Sequence, residues 1–254
     1  ALPLQVQGGA ATAADSHLFV MTQAAESITF ENVLEEPVPS ILRAFSAPVI
    51  VNFDYTDAQL LTLLANDPDP FNRWEAGQRL ALRSAIESIR ADGQPTSGLN
   101  AEYLAAMRSV LRQPTLDAAF KELVLTLPSE TYIAEQLEVV DPQRIHAVRE
   151  AMREQLATGL AQDWQWAYEA HHQNGGYRPD TLSSGRRALA GQALNYLCQA
   201  ARRPGEARQR SWCSTNGLRC RLLARTAVAR SCQRCASCSS TPTSTSATQI
   251  ARAA

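Results

Sequence analysis

The stretch DPQRIHAVREAMREQLATGLAQDWQWAY, Asp141 to Tyr168, decides how this chain is read. Its apolar residues Ile145, Val148, Met152, Leu156, Leu160, Trp164 and Tyr168 recur every three or four positions. That is the period at which side chains return to one face of an α-helix. Asp141 can accept from the free N–H groups of a first turn, and Pro142 brings a fixed φ where no N–H is needed. Acids and arginines fill the other faces. The spacing predicts one amphipathic helix of about seven turns at 3.6 residues per turn, running to the turn Asn174-Gly175-Gly176.

The same period holds on both sides of this stretch. Thr56 or Asp57 can cap a helix carrying Leu60, Leu61 and Leu64. Pro70 suits the first turn of a second, with Phe71, Trp74, Leu82, Ile86 and Ile89 inward and Ala91-Asp92-Gly93 as its stop. Asn100 caps a third, with Leu104, Met107 and Leu111 inward and Pro114 at its end. Leu116, Phe120, Leu123 and Leu127 make a fourth, closed by Pro128, and Ser129 opens a fifth with Ile133 and Leu137. A last helix, from about Pro179 to Cys198, carries Leu182, Leu189, Leu194 and Leu197. Short connections make neighbours antiparallel, so stacked helical hairpins are expected, without a fixed repeat length.

Up to Tyr55 the period is that of strands. His17–Thr22 (HLFVMT) and Ser27–Val33 (SITFENV) carry β-branched and aromatic residues, with Ile28 and Phe30 on one face of an alternation, and Val49–Tyr55 (VIVNFDY) alternates Val49, Val51, Phe53 and Tyr55 on one side. Pro37, Pro39 and Pro48 exclude helix between them. A partial β-sandwich is expected over residues 1–55, with further strands lying upstream of Ala1. The fold class is therefore α+β: an Ig-like partial sandwich, an all-α domain over 56–198, and a tail over 199–254.

The tail stands apart by charge. Up to Cys198 there are 24 acidic residues against 14 basic ones, a balance of −10 hidden in a chain total of −1. From Gln199 onward there are ten arginines and one acid, Glu206, and five of the six cysteines. The run SCQRCASC places Cys232, Cys235 and Cys238 two residues apart, with Cys220 and Cys213 upstream. Structural zinc ordinarily takes two knuckle pairs around an ordering loop, whereas here three cysteines crowd together between Ser- and Thr-rich flanks. The tail is expected to be disordered, out-of-frame sequence. Ten arginines could hold phosphates, but Trp212 is the tail's one aromatic, so stacking of bases has little support.

Little in the body suggests chemistry. His-Glu-x-x-His, a Gly-rich phosphate loop and Gly-x-Ser-x-Gly are all missing from the sequence. His171 and His172 point about 100° apart on a helix, so they read as a solvated helix end where imidazolium suits the dipole. Glu35 and Glu36 read as solvated, Phe71, Trp74 and Trp164 as core, and Trp166 as a surface or interface residue. No apolar run is long enough to span a bilayer, and ALPLQVQGG is unlike a leader peptide.

The order of certain residues resembles one family. In ITFENVLEEPVPSILRAFSAPVIVNFDYTDAQLLTLLANDPDPFNRWEAGQ, the pieces are Phe30-x-x-Val33, Pro37-Val38-Pro39-Ser40, Arg43-x-Phe45-Ser46-Ala47-Pro48-Val49 and Phe71-x-Arg73-Trp74-Glu75-Ala76. Leu125-Thr126-Leu127-Pro128-Ser129, Asp141-Pro142 and Arg187-x-Leu189 with Ala193-Leu194-Asn195-Tyr196-Leu197 follow. Together, over roughly 1–201, they resemble the C-terminal half of bacterial aminopeptidase N, the alanyl-type zinc aminopeptidases of the gluzincin clan. The resemblance implies a non-catalytic segment whose helical domain walls in the active-site cavity of an enzyme acting on peptides, in contact with a catalytic domain that precedes it. It implies zinc and its catalytic motifs in that preceding part, so no catalytic, cofactor-binding or metal-binding residue is carried onto this chain. The segment is expected to be inactive alone, cytoplasmic, free of membrane contact and not a nucleic-acid partner. The alternative is a non-enzymatic helical scaffold with a basic, Cys-rich tail that binds nucleic acid or metal.

Overall fold

The computed structural model of the protein describes residues 4–7, 15–91, 98–173 and 175–201. The chain divides into two units, Ala1–Leu80 and Ala81–Ala254.

In the first unit, strands β1 (Gln5–Val6) and β2 (Phe30–Glu31) pair antiparallel, Gln5 opposite Glu31 and Val6 opposite Phe30. Gln7 extends the ladder by donating its N–H to the Thr29 carbonyl at 3.0 Å. The strand expected over Ser27–Val33 is thus reduced to β2, and β1 was not anticipated. The stretches His17–Thr22 and Val49–Tyr55 are not strands, which corrects the strand expected from the composition of the first and the alternation of the second. Alternation makes a face, but a ladder also needs a neighbour, and none of the described residues supplies one. The apolar side chains of His17–Thr22 stay in solvent, whereas Val51 and Tyr55 are half-buried.

Helix α1 (Asp57–Asn66) begins at a reciprocal cap. The Thr56 hydroxyl accepts the Gln59 N–H at 3.2 Å, and the Gln59 side chain accepts the Thr56 N–H at 2.9 Å. Leu60, Leu63 and Leu64 are buried, so Leu63 takes the inward place expected of Leu61. Helix α2 (Pro70–Arg90) starts in this unit and ends in the second.

The second unit holds α3 (Ala101–Arg112), α4 (Ala118–Val124), α5 (Glu130–Ala134), α6 (Pro142–Gly159), α7 (Ala161–His171) and α8 (Thr181–Ala200). Asn100, Asp117, Ser129, Asp141 and Asp180 each cap the helix that follows by accepting a backbone N–H. The stripe Ile145, Val148, Met152, Leu156, Leu160, Trp164 and Tyr168 is buried throughout, as its spacing requires. The single long helix expected there is instead two. Leu160 leaves helical geometry at φ −116, ψ 22, next to Gly159, which has no Cβ and sits where one would come 3.1 Å from the Leu104 side chain. The Leu160 N–H still reaches the Leu156 carbonyl at 3.2 Å, and the Trp164 indole N–H donates to that same oxygen at 2.9 Å. The Leu156 carbonyl thus serves two buried donors at the break.

Helix α8 lies against both halves of this pair. Trp164 stacks on Tyr196 with centroids 4.4 Å apart and planes 15° from parallel, an offset aromatic contact worth about 1 kcal/mol beyond its area. The Tyr196 hydroxyl donates to the Leu125 carbonyl at 3.3 Å, just past the end of α4. Burial pushes the pKa of that hydroxyl up to about 12, so it remains a donor at every physiological pH. Two other expectations fail on phase: Leu123 and Leu182 face solvent, while Lys121 and Val124 of α4 are buried. The tail lies outside the described residues from position 202 onward, and with it Cys213, Cys220, Cys232, Cys235 and Cys238. Cys198 is buried on α8.

The backbones of α8 and α4 come close at Gly185, where a Cβ would stand 2.9 Å from the Ala119 nitrogen and 3.0 Å from its Cβ. Backbone cannot yield as a side chain does. Gly185→Ala is expected to destabilise the chain by about 1–3 kcal/mol despite alanine's better helix propensity; an unchanged urea midpoint would show that α4 and α8 are not this close.

Candidate functional site

Arg108 and Arg112 stand four residues apart on α3, so both guanidiniums leave the same face. Asp163, in the first turn of α7, meets them: its Oδ2 accepts from Arg108 Nε at 2.9 Å and its Oδ1 from Arg112 Nε at 2.8 Å. Arg108 Nη2 also donates to the Gly159 carbonyl at 3.0 Å, the last residue before the helix break. Arg112 lies over the Trp166 ring with its guanidinium carbon 4.3 Å from the centroid. Lys121, the chain's one lysine, brings its ammonium to 6.0 Å from the same ring, and His171 meets that ring edge-on at 5.9 Å.

Three groups here titrate away from their usual ranges. Burial alone would raise Asp163, but hydrogen bonds and charge from Arg108 and Arg112 overcome it and hold the carboxyl below its ordinary value. Burial lowers the Lys121 ammonium, with Asp117 acting against it. Burial likewise lowers His171, reinforced by Lys121 and Arg186 against a hydrogen bond to the Ala167 carbonyl. His171 is therefore a neutral imidazole at the end of α7, which corrects the imidazolium expected there. His172 stacks on Tyr168 at 5.0 Å, so the two histidines do part as their adjacency requires.

This constellation is a set of ion pairs and ring contacts centred on Asp163 and Trp166. The other histidine pair, His146 Nδ1 with Glu130 Oε1 at 2.7 Å, joins α6 to α5 near the surface. Arg144 closes the end of α2 by donating to the carbonyls of Ser88, Ile89 and Ala91, cations being favoured where carbonyls are left over. Among the described residues, no group of three or more His, Cys, Asp or Glu could hold a metal ion. Sequence reasoning placed Trp164 in the core and Trp166 near the surface, both as found. It missed the Asp163 clamp, whose one signal was the four-residue spacing of Arg108 and Arg112.

The first unit carries a second polar knot. Asp69 Oδ1 caps α2 through the Asn72 N–H at 2.9 Å, and its Oδ2 accepts the Ala44 N–H at 2.7 Å. Asn72 donates to the Ser40 hydroxyl at 2.7 Å, and Arg79 donates to the Val51 and Phe53 carbonyls. The Ser40–Tyr55 segment is thereby tied to the start of α2. The bond to Ala44 also holds a turn with Leu42, Ala44 and Phe45 at φ 55, 56 and 52, a conformation that costs non-glycine residues about 1 kcal/mol or more apiece. Beside it lies a hollow of about 170 Å³ lined by Ile41, Phe45, Ile50, Leu63, Phe71 and Arg79 among others. Glu35 and Glu36 are solvated. Leu18, Val20, Met21, Leu34, Val49 and Ile50 are exposed, Leu34 at 96% and Ile50 at 99%. Scattered exposed apolar residues are ordinary, but a whole HLFVMT run in solvent is not.

Two family models cover this chain: an Ig-like domain of unknown function, DUF3458, over 2–54, and an ARM-repeat domain of unknown function, DUF3458_C, over 57–236. The aminopeptidase N of Caulobacter vibrioides is 35% identical over 175 residues, and that of Escherichia coli 36% over 179. The aminopeptidase N of Haemophilus influenzae is 31% identical over 183 residues. These alignments take in 69%, 70% and 72% of this chain but 20%, 20% and 21% of the relatives, so the chain spans about a fifth of their length. The crystal structure of Legionella pneumophila aminopeptidase A in complex with aspartic acid superposes with a TM-score of 0.58 at 23% identity, over 69% of this chain and 22% of that one.

The clamp has a pH signature. Because the pKa of Asp163 is depressed in the folded chain, its stabilisation is present above the ordinary carboxylate value and is lost as pH falls through the lowered one. Arg108 and Arg112 are 50% and 41% exposed, so water screens part of the gain. Asp163→Asn is expected to cost about 1–2 kcal/mol at neutral pH, with the gap to the parent chain narrowing as urea melts are repeated towards pH 3. A gap constant with pH would contradict the clamp.

Proposed function

Because the chain belongs to the aminopeptidase N family through its DUF3458 and DUF3458_C domains, we propose that it serves as a wall and a docking piece of a zinc aminopeptidase. The longer enzyme removes N-terminal residues from peptides. The helical domain confines the cavity in which they are cut, and the zinc and the acid–base groups stand in a catalytic domain elsewhere in the enzyme. The observation that carries the reading is one of proportion. Two adjoining family models span 2–236, while the chain answers to only a fifth of each relative. No step of the reaction is assigned to the described residues.

The exposed apolar segments give the docking part its physical basis. The side chains of Leu18, Val20, Met21, Val49 and Ile50 all belong to the first unit, and their burial against a catalytic domain would recover about 25 cal/mol for each Å² removed from water. No described helix is long and apolar enough to cross a membrane, and we place the enzyme in the cytoplasm. The scaffold alternative, with nucleic acid or metal on a basic tail, gains nothing from the comparisons. Given zinc, the purified chain is expected to release no arylamine from an alanyl arylamide, whereas the longer enzyme containing it does. Turnover by the chain alone, abolished by a chelator, would contradict the proposal.

A further inference from the structure

The clamp of α3 and α7 uses less of its arginines than they can offer. Each guanidinium meets Asp163 through Nε, and Arg108 spends Nη2 on the Gly159 carbonyl. Among the described residues, Arg112 Nη1 and Nη2 and Arg108 Nη1 make no further hydrogen bond, and both side chains are about half exposed. Their positions are nonetheless fixed. Asp163 holds both from below, and Trp166 holds the plane of Arg112 by stacking. Ordering a guanidinium ordinarily costs much of what a bound anion returns, and here the fold has already ordered two.

The charge around them is lopsided. Arg112 and Lys121 lie against Trp166, Lys121 and Arg186 act on His171, and Arg108 shares Asp163 with Arg112, while Asp163 and Asp117 stand against these cations. That is an excess of positive charge within a body, residues 1–198, where acids outnumber bases 24 to 14. Neutral His171 adds none. Planar N–H forks set side by side match the geometry of a carboxylate or phosphate group.

We propose that the Trp166 corner of the helical domain is a binding site for a small oxyanion, held by the outward N–H edges of Arg112 and Arg108 and attracted by Lys121. This goes beyond the wall reading and does not depend on it, because the second unit contains the whole site. A purely mechanical clamp needs only the Nε bonds and predicts no ligand.

The test is calorimetric titration of the full chain with inorganic phosphate, and separately with acetate, at constant ionic strength. Saturable binding of at least one anion is expected; the stronger response identifies the phosphate or the carboxylate source. Arg112→Gln is expected to weaken it about tenfold or more, as loss of a charge-assisted pair should. Arg112→Lys, which keeps charge but not the fork, should also weaken it, and Arg90→Gln on α2 should not. In the unsubstituted chain, the anion should shift the indole N–H resonance of Trp166 and leave that of Trp164 in place, which tests the site even if a variant fails to fold. Absence of saturation with both anions, or equal loss in Arg90→Gln, overturns the proposal.

Discussion

A fully buried indole must find an acceptor for its N–H, and Trp164 finds one eight residues back, on the Leu156 carbonyl. That carbonyl is within reach because the helix breaks at Leu160, and the break in turn sets the direction of α7. Much of the second unit follows from it. The rings of Trp164 and Tyr196 stack, Tyr196 ties α8 to the end of α4, and Asp163, beside Trp164, comes under Arg108 and Arg112. Burying an aromatic side chain of this kind contributes about 2–3 kcal/mol. A straight helix through Leu160 would carry Asp163 elsewhere and leave both arginines without their carboxylate.

The first unit is held differently. Its fixed points are hydrogen bonds from Asp69, Asn72 and Arg79 to a segment with little regular structure. Its apolar side chains are only partly used. The unit spends Asp69, Asn72 and Arg79 on its own segments while leaving Leu18, Val20, Met21 and Ile50 in water. The proposed role as one piece of a larger aminopeptidase accounts for that imbalance.

The helices were legible because their signals are local. Thr56, Asn100, Ser129 and Asp141 sit where a first turn needs acceptors, Pro70 and Pro142 where it needs none, and the buried stripe keeps its period for seven residues. The break at Leu160 was not, since Gly159 alone does not end a helix and its close approach to Leu104 is a tertiary fact. Leu123 misled because the start of α4 at Asp117 sets its phase, and that cap was overlooked. HLFVMT and VIVNFDY have the composition of strands without forming a ladder, since strand pairing is decided by neighbours. Of the clamp, Arg108 and Arg112 showed only a spacing, and nothing in the sequence pairs them with a residue 51 positions beyond Arg112.

Amide hydrogen exchange on the full chain tests the central claim most directly, because protection reports local opening residue by residue. The account predicts that amides around Leu156, Trp164 and Tyr196 exchange only through global unfolding. Those of His17–Thr22 and Val49–Phe53 should exchange near the unprotected rate until the chain is placed in the longer enzyme. Protection of the two extended stretches equal to that of α8, in the chain by itself, would contradict it.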